Sequence, residues 1–105
     1  METEKEDITS QELAAAGKTG RRITRENIEA LMTLVTFHTS VVGTSTFVHA
    51  QLNGKFHLGT GFAGCVDPTN FIAATGERIA TADAVAIAIK ELWKLEGYRL
   101  YREIN

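Results

Sequence analysis

The sequence predicts an α+β fold, a small antiparallel β-hairpin or three-stranded sheet packed on two helices and assembled as a homo-oligomer. Three observations carry this prediction. Asn53-Gly54 joins two runs of alternating apolar residues, Ser45 to Leu52 and Lys55 to Phe62, and this pair best tolerates the two positive φ angles of a tight hairpin turn. Thr24 and Asp67-Pro68 each have the chemistry of a helix start. The alanine-rich run from Ile79 to Trp93 is long enough, and rich enough in strong helix formers, to supply the main packing helix.

Each element follows from local chemistry. Residues 1 to 22 carry Glu2, Glu4, Glu6, Asp7 and Glu12 with few large apolar side chains, so they read as a mobile polar tail, with a short helix over Ser10 to Ala16 ended by Gly17. Residues 23 to 105 form the single domain. The Thr24 hydroxyl caps a helix from about Arg25 to Thr36, with Ile23 and Ile28 at the two hydrophobic-staple positions and Ile28, Leu31, Leu34 and Val35 on one stripe. If Leu52 pairs with Lys55, the hairpin puts Phe47, His49, Phe56, Leu58 and Phe62 on one face, the expected core. Val48, Ala50, His57, Gly59 and Gly61 fall on the other.

Asp67-Pro68 launches the second helix, with Val66 and Phe71 as its staple. Gly76 permits a bend, and the helix stops at Gly97 with Tyr98 packed back over the last turn. Its core stripe is Val85, Ile89 and Leu92. The alternation Val85, Ile87, Ile89 is also strand-like, but alanine content and length favour helix. Ile87 with Ala80, Ala84 and Ala88 makes the opposite side apolar as well, so the helix needs two surfaces to bury, which is the ground for expecting a homo-oligomer. Tyr98 to Ile104 alternates as a last strand.

Composition bounds the function. At 105 residues, 44% apolar and 23% charged, the chain is one ordinary globular domain, and a net charge of -2 gives no attraction to duplex DNA. No apolar run approaches the roughly 20 residues that span a bilayer, and no signal-peptide pattern opens the chain. Cys65 is the single cysteine, which precludes an intrachain disulfide and suits a reducing compartment.

Motifs for chemistry are sparse. Gly17-Lys18-Thr19 resembles the end of a phosphate loop, but Glu12 stands where that loop needs glycine. His38, His49, His57, Cys65 and Asp67 lack the spacing of a metal site, and the hairpin register separates His49 from His57. Asp83 has no second carboxylate spaced for acid-base work. No metal, cofactor or catalytic residue is therefore expected. The richer cluster is Tyr98, Arg99, Tyr101 and Arg102 beside Trp93, because aromatic faces and guanidinium forks suit bases and phosphates. Gly59, Gly61 and Gly64 mark a bulge or the close approach of a backbone or ligand.

From Ile23 onward the chain resembles a family of small tailed-phage and prophage proteins, the gene-product forty-nine and sixty-six proteins. The matching motifs are Ile23-Thr24 with Ile28-Glu29-Ala30-Leu31, the hairpin ending, and Cys65-Val66-Asp67-Pro68-Thr69-Asn70-Phe71. Gly76-Glu77-Arg78-Ile79-Ala80 and Leu92-Trp93-Lys94-Leu95-Glu96-Gly97-Tyr98 follow in order. About one extra helical turn, some 3.6 residues, separates Gly76 from Trp93, and Lys94 replaces a usual proline. The resemblance implies a phage accessory protein in the cytoplasm of an infected bacterium, without established catalytic residues. Small phage proteins of this size and make-up include oligomeric sponges for cyclic nucleotide and cyclic ADP-ribose signals. The expected function is counter-defence by sequestering a nucleotide-derived molecule, with Arg99 and Arg102 on phosphates and Tyr98, Tyr101 or Phe56 on bases. The alternative is an inhibitor that docks on a host enzyme through its hairpin edge or alanine-rich helix face.

Overall fold

The structure, a computed structural model, describes residues 8–105. Along the chain lie α1 (Ser10–Ala15), α2 (Arg25–Met32), β1 (Val35–Val42), β2 (Ser45–Leu52), β3 (Phe56–Gly64), a 3-10 turn (Pro68–Asn70) and α3 (Ala73–Ile104). The strands form one antiparallel sheet in the order β1-β2-β3. The α+β class and the three-stranded sheet are as expected, but the third strand is not the expected one.

The start of α2 follows its sequence. Thr24 Oγ1 accepts the Asn27 amide at 3.1 Å and Asn27 Oδ1 accepts the Thr24 amide at 2.9 Å, while Ile28 is fully buried with Ile23 packed near it. The helix ends at Met32 instead of Thr36. The amides of Thr33 and Leu34 turn back to Ala30 O and Leu31 O, and the β-branched segment from Val35 then runs as β1. The C-terminal residues expected as a strand are helical. α3 passes through Gly97 and ends at Ile104, and Tyr98 is exposed instead of packed over a helix end.

Asp67 does cap, but only its own short turn. Its carboxylate accepts the Thr69 amide at 3.0 Å and the Thr69 hydroxyl at 2.9 Å. α3 starts later, at Ala73, behind Ile72, which has no side-chain oxygen to offer the free amides. Val66 is fully exposed, so the second staple is not made.

The hairpin turn has its expected backbone, with positive φ at Asn53 and Gly54 and the Lys55 amide bonded to Leu52 O at 3.1 Å. The ladder, however, pairs Leu52 with Phe56, leaving Lys55 outside it. A second irregularity falls at Ala50/Gln51, where β3 steps from His57 to Gly59. Each slip exchanges faces. Near the turn, His57 therefore joins the side of Phe47 and His49, and Phe56 joins the side of Leu52. Beyond the bulge the two slips cancel, and Phe62 lies opposite Phe47.

The core is on the face opposite to the expected aromatic one. α3 lies on Thr46, Val48 and Ala50 of β2 and on the glycines of β3, with Ala80, Ala84, Ala88 and Leu92 as its buried stripe; Val85 and Ile89 sit partly buried beside it. Small residues on both sides explain the choice. A Cβ on Gly61 would stand 2.1 Å from Ala80 O and 2.4 Å from the Ala84 amide nitrogen, so glycine there lets helix and sheet backbones nearly touch. Burying the other face would have taken the His49, Ser40 and Thr60 polar groups out of water. Val48, Ile28, Leu58 and Leu92 complete the core, each contributing about 1.5–3 kcal/mol by burial.

Candidate functional site

With α3 on one side of the sheet, no described element covers the other. That outer face carries His38 and Ser40 from β1, Phe47 and His49 from β2, and His57, Thr60 and Phe62 from β3. None of the strand residues is Asp, Glu, Lys or Arg. The surface therefore bears hydrogen-bonding groups and aromatic rings without fixed charge.

Its polar groups form a line across all three strands. Ser40 Oγ lies 3.0 Å from His49 Nε2, His49 Nδ1 lies 3.0 Å from Thr60 Oγ1, and Thr60 Oγ1 lies 3.3 Å from His57 Nε2. His38 stacks beside His49 with ring centroids 6.4 Å apart. A neutral His49 has one N–H and one lone pair, so one neighbouring hydroxyl donates to it and the other accepts. Next to this line, the Phe47 and Phe62 rings meet with centroids 5.4 Å apart, and Phe62 is 49% exposed.

The Ser40–His49 contact has the spacing of a nucleophile and its base. Among the described residues, however, a hydroxyl and not a carboxylate holds the second ring nitrogen of His49, and the pair sits on a flat strand face. The arrangement offers hydrogen-bond donors and acceptors across a flat strand face. Sequence reading missed it because it depends on β1 and on the first register slip, which reunites His49 with His57.

The residues expected to bind ligand lie elsewhere. Tyr98 and Tyr101 stack with centroids 6.5 Å apart near the end of α3, and the Arg102 guanidinium lies over Tyr98 and donates to its hydroxyl at 3.1 Å. Arg99 is engaged by carboxylates: it pairs with Glu96 at 3.1 Å and with Glu103, which also pairs with Arg21 at 2.7 Å. The Glu96 hydrogen bonds and charge, then Glu103, hold Arg99 still more firmly protonated than usual. Phe56 stands at the start of β3, 56% exposed, and makes no ring contact with the tyrosines. The structure thus gathers Tyr98, Tyr101 and Arg102, turns Arg99 toward acidic partners and leaves Phe56 apart.

A small cavity of about 170 Å³ opens beside the first turn of α3, between Thr46, Cys65, Phe71, Thr75 and Ile79. Among the described residues no metal-ligating cluster occurs, and no helix is long and apolar enough to cross a membrane.

The three-stranded antiparallel sheet with α3 packed on one side defines a small α+β domain. More particularly, residues 23–104 match the phage protein (N4 Gp49/phage Sf6 gene 66) family, and the chain belongs to that family. No curated protein and no solved structure matches it significantly.

Proposed function

We propose that this phage protein sequesters a nucleotide-derived signalling molecule of the bacterial host, without catalysis, on the outer face of its sheet. The observation that supports this reading is the Phe47–Phe62 pair set beside the Ser40–His49–Thr60–His57 line on a surface with no fixed charge. A base has a π-face for Phe62 and edge donors and acceptors for hydroxyls and imidazoles. Exposed His57 at one end of the line and exposed His38 beside His49 offer ring N–H donors to phosphate oxygens. Tyr98, Tyr101 and Arg102 form a second, weaker candidate, since the carboxylates of Glu96 and Glu103 stand close by and repel phosphate.

Inhibition of a host enzyme by docking has less support. The alanine face of α3 is covered by the sheet, and the free edge of the hairpin at β3 is engaged by Asp83. Calorimetry against cyclic dinucleotides, cyclic trinucleotides and cyclic ADP-ribose isomers tests the proposal. One member should bind, and Phe62→Ala should weaken it by about 1–3 kcal/mol, the usual worth of one base stack. Absence of binding across the panel would refute it.

A further inference from the structure

The two edges of the sheet are finished differently. At β3, the ladder is irregular near Ala50/Gln51, and the Phe62 amide donates to Asp83 Oδ2 of α3 at 3.0 Å, so a carboxylate guards that edge. β1 has none of these devices. Its eight residues pair with β2 without a break from Val35↔Leu52 to Val42↔Ser45, and they include no lysine, no proline and no charge. Among the described residues, no segment pairs with its outer edge. Long, regular edges without charge or proline are templates for another strand.

The helix side of β1 points the same way. α3 lies over β2 and β3, which leaves Phe37 and Val41 40% and 51% exposed on the face that elsewhere forms the core. Among the described residues, nothing covers these exposed surfaces.

We propose that β1 pairs antiparallel with β1 of a second copy, joining two sheets into one of six strands. Directly opposed residues share a face in an antiparallel pair, so the two-fold axis must relate residues of the same parity. Centring the axis on Thr39 sets Phe37 opposite the partner's Val41 and Val41 opposite the partner's Phe37, closing the uncovered apolar patch on the helix side. On the outer side it sets His38 opposite the partner's Ser40. The uncharged strand meets its own copy without like-charge repulsion, and the fit is reciprocal, as an isologous contact requires. Because Asp83 guards the far edge of each copy, assembly stops at two. The pairing is independent of the ligand reading, since the outer face stays open.

Sedimentation equilibrium on the full chain tests it, with Val41→Lys as an exposed change that leaves the fold intact by circular dichroism. A dimer is expected at micromolar concentration, weakened roughly tenfold or more by Val41→Lys. Thr39→Cys in a Cys65→Ser background supplies the register: cross-strand Cα atoms about 4.5–5.5 Å apart lie within disulfide reach, so mild oxidation should link two chains. A wild-type monomer overturns the proposal, even one that captures an unrelated extended peptide. So does a dimer that Val41→Lys leaves unchanged or that Thr39→Cys fails to link.

Discussion

Single atoms decide how closely α3 can approach the sheet. A methyl at position 61 would collide with the helix backbone at Ala80 and Ala84, which cannot move aside as a side chain would. Gly61→Ala should therefore cost about 3 kcal/mol in urea denaturation, the upper part of the overpacking range. Gly97 meets nothing within 4 Å and sits inside a helix, so Gly97→Ala should stabilise by about 1 kcal/mol in the same assay. Thr46 gives the opposite lesson to Gly61. It is 1% exposed, its Oγ1 faces Gly76, and among the described residues that hydroxyl has no hydrogen-bond partner. Thr46→Val removes an unsatisfied group and keeps the shape, and its thermal midpoint should rise by the equivalent of about 1 kcal/mol.

At the scale of elements, caps and charge pairs set the ends of helices. Thr24→Ala removes a reciprocal cap and should destabilise by about 1 kcal/mol. Hydrogen bonds from the Thr69 amide and then its hydroxyl hold the Asp67 carboxyl below the usual range, and Arg21, then Arg99, do the same for Glu103. A carboxylate with a lowered folded value stabilises above its ordinary titration range and loses that contribution as pH falls through the folded value. Urea midpoints should thus decline below about pH 4, and Asp67→Asn should make that decline shallower.

These elements also show what local sequence carries. The cap at Thr24, the positive-φ turn at Asn53-Gly54 and the helical nature of the alanine run are set by neighbouring residues, and all three were legible. The end of α2, the continuation of α3 through Gly97 and the true third strand depend on distant partners. Leu34 and Val35 fit a helical stripe as well as a strand until β2 supplies backbone to pair with. The buried face was misjudged for a related reason. Hydrophobicity favours the phenylalanines, but a helix lined with alanine packs deepest against glycine, and that complementarity appears only once α3 lies on the sheet.

At the scale of the whole fold, α3 buries one side of the three-stranded sheet, and among the described residues no element covers the other. α3, with 32 residues, is about 48 Å long, against about 27 Å for an eight-residue strand, so the helix end bearing Tyr98, Tyr101 and Arg102 runs beyond the sheet. The site read from sequence and the site proposed from the fold are thus two places on one molecule. Which residues are near one another on the outer face follows from two register slips that no periodicity reveals, whereas Tyr98, Tyr101 and Arg102 are neighbours simply by helical spacing.

Nuclear magnetic resonance titration of the labelled protein with the nucleotide found by calorimetry separates these two places directly. The outer-face account predicts the largest amide shifts at Phe47, His49, Thr60 and Phe62, with residues 98–102 little changed. Shifts confined to Tyr98, Arg99, Tyr101 and Arg102, with the sheet silent, would contradict it.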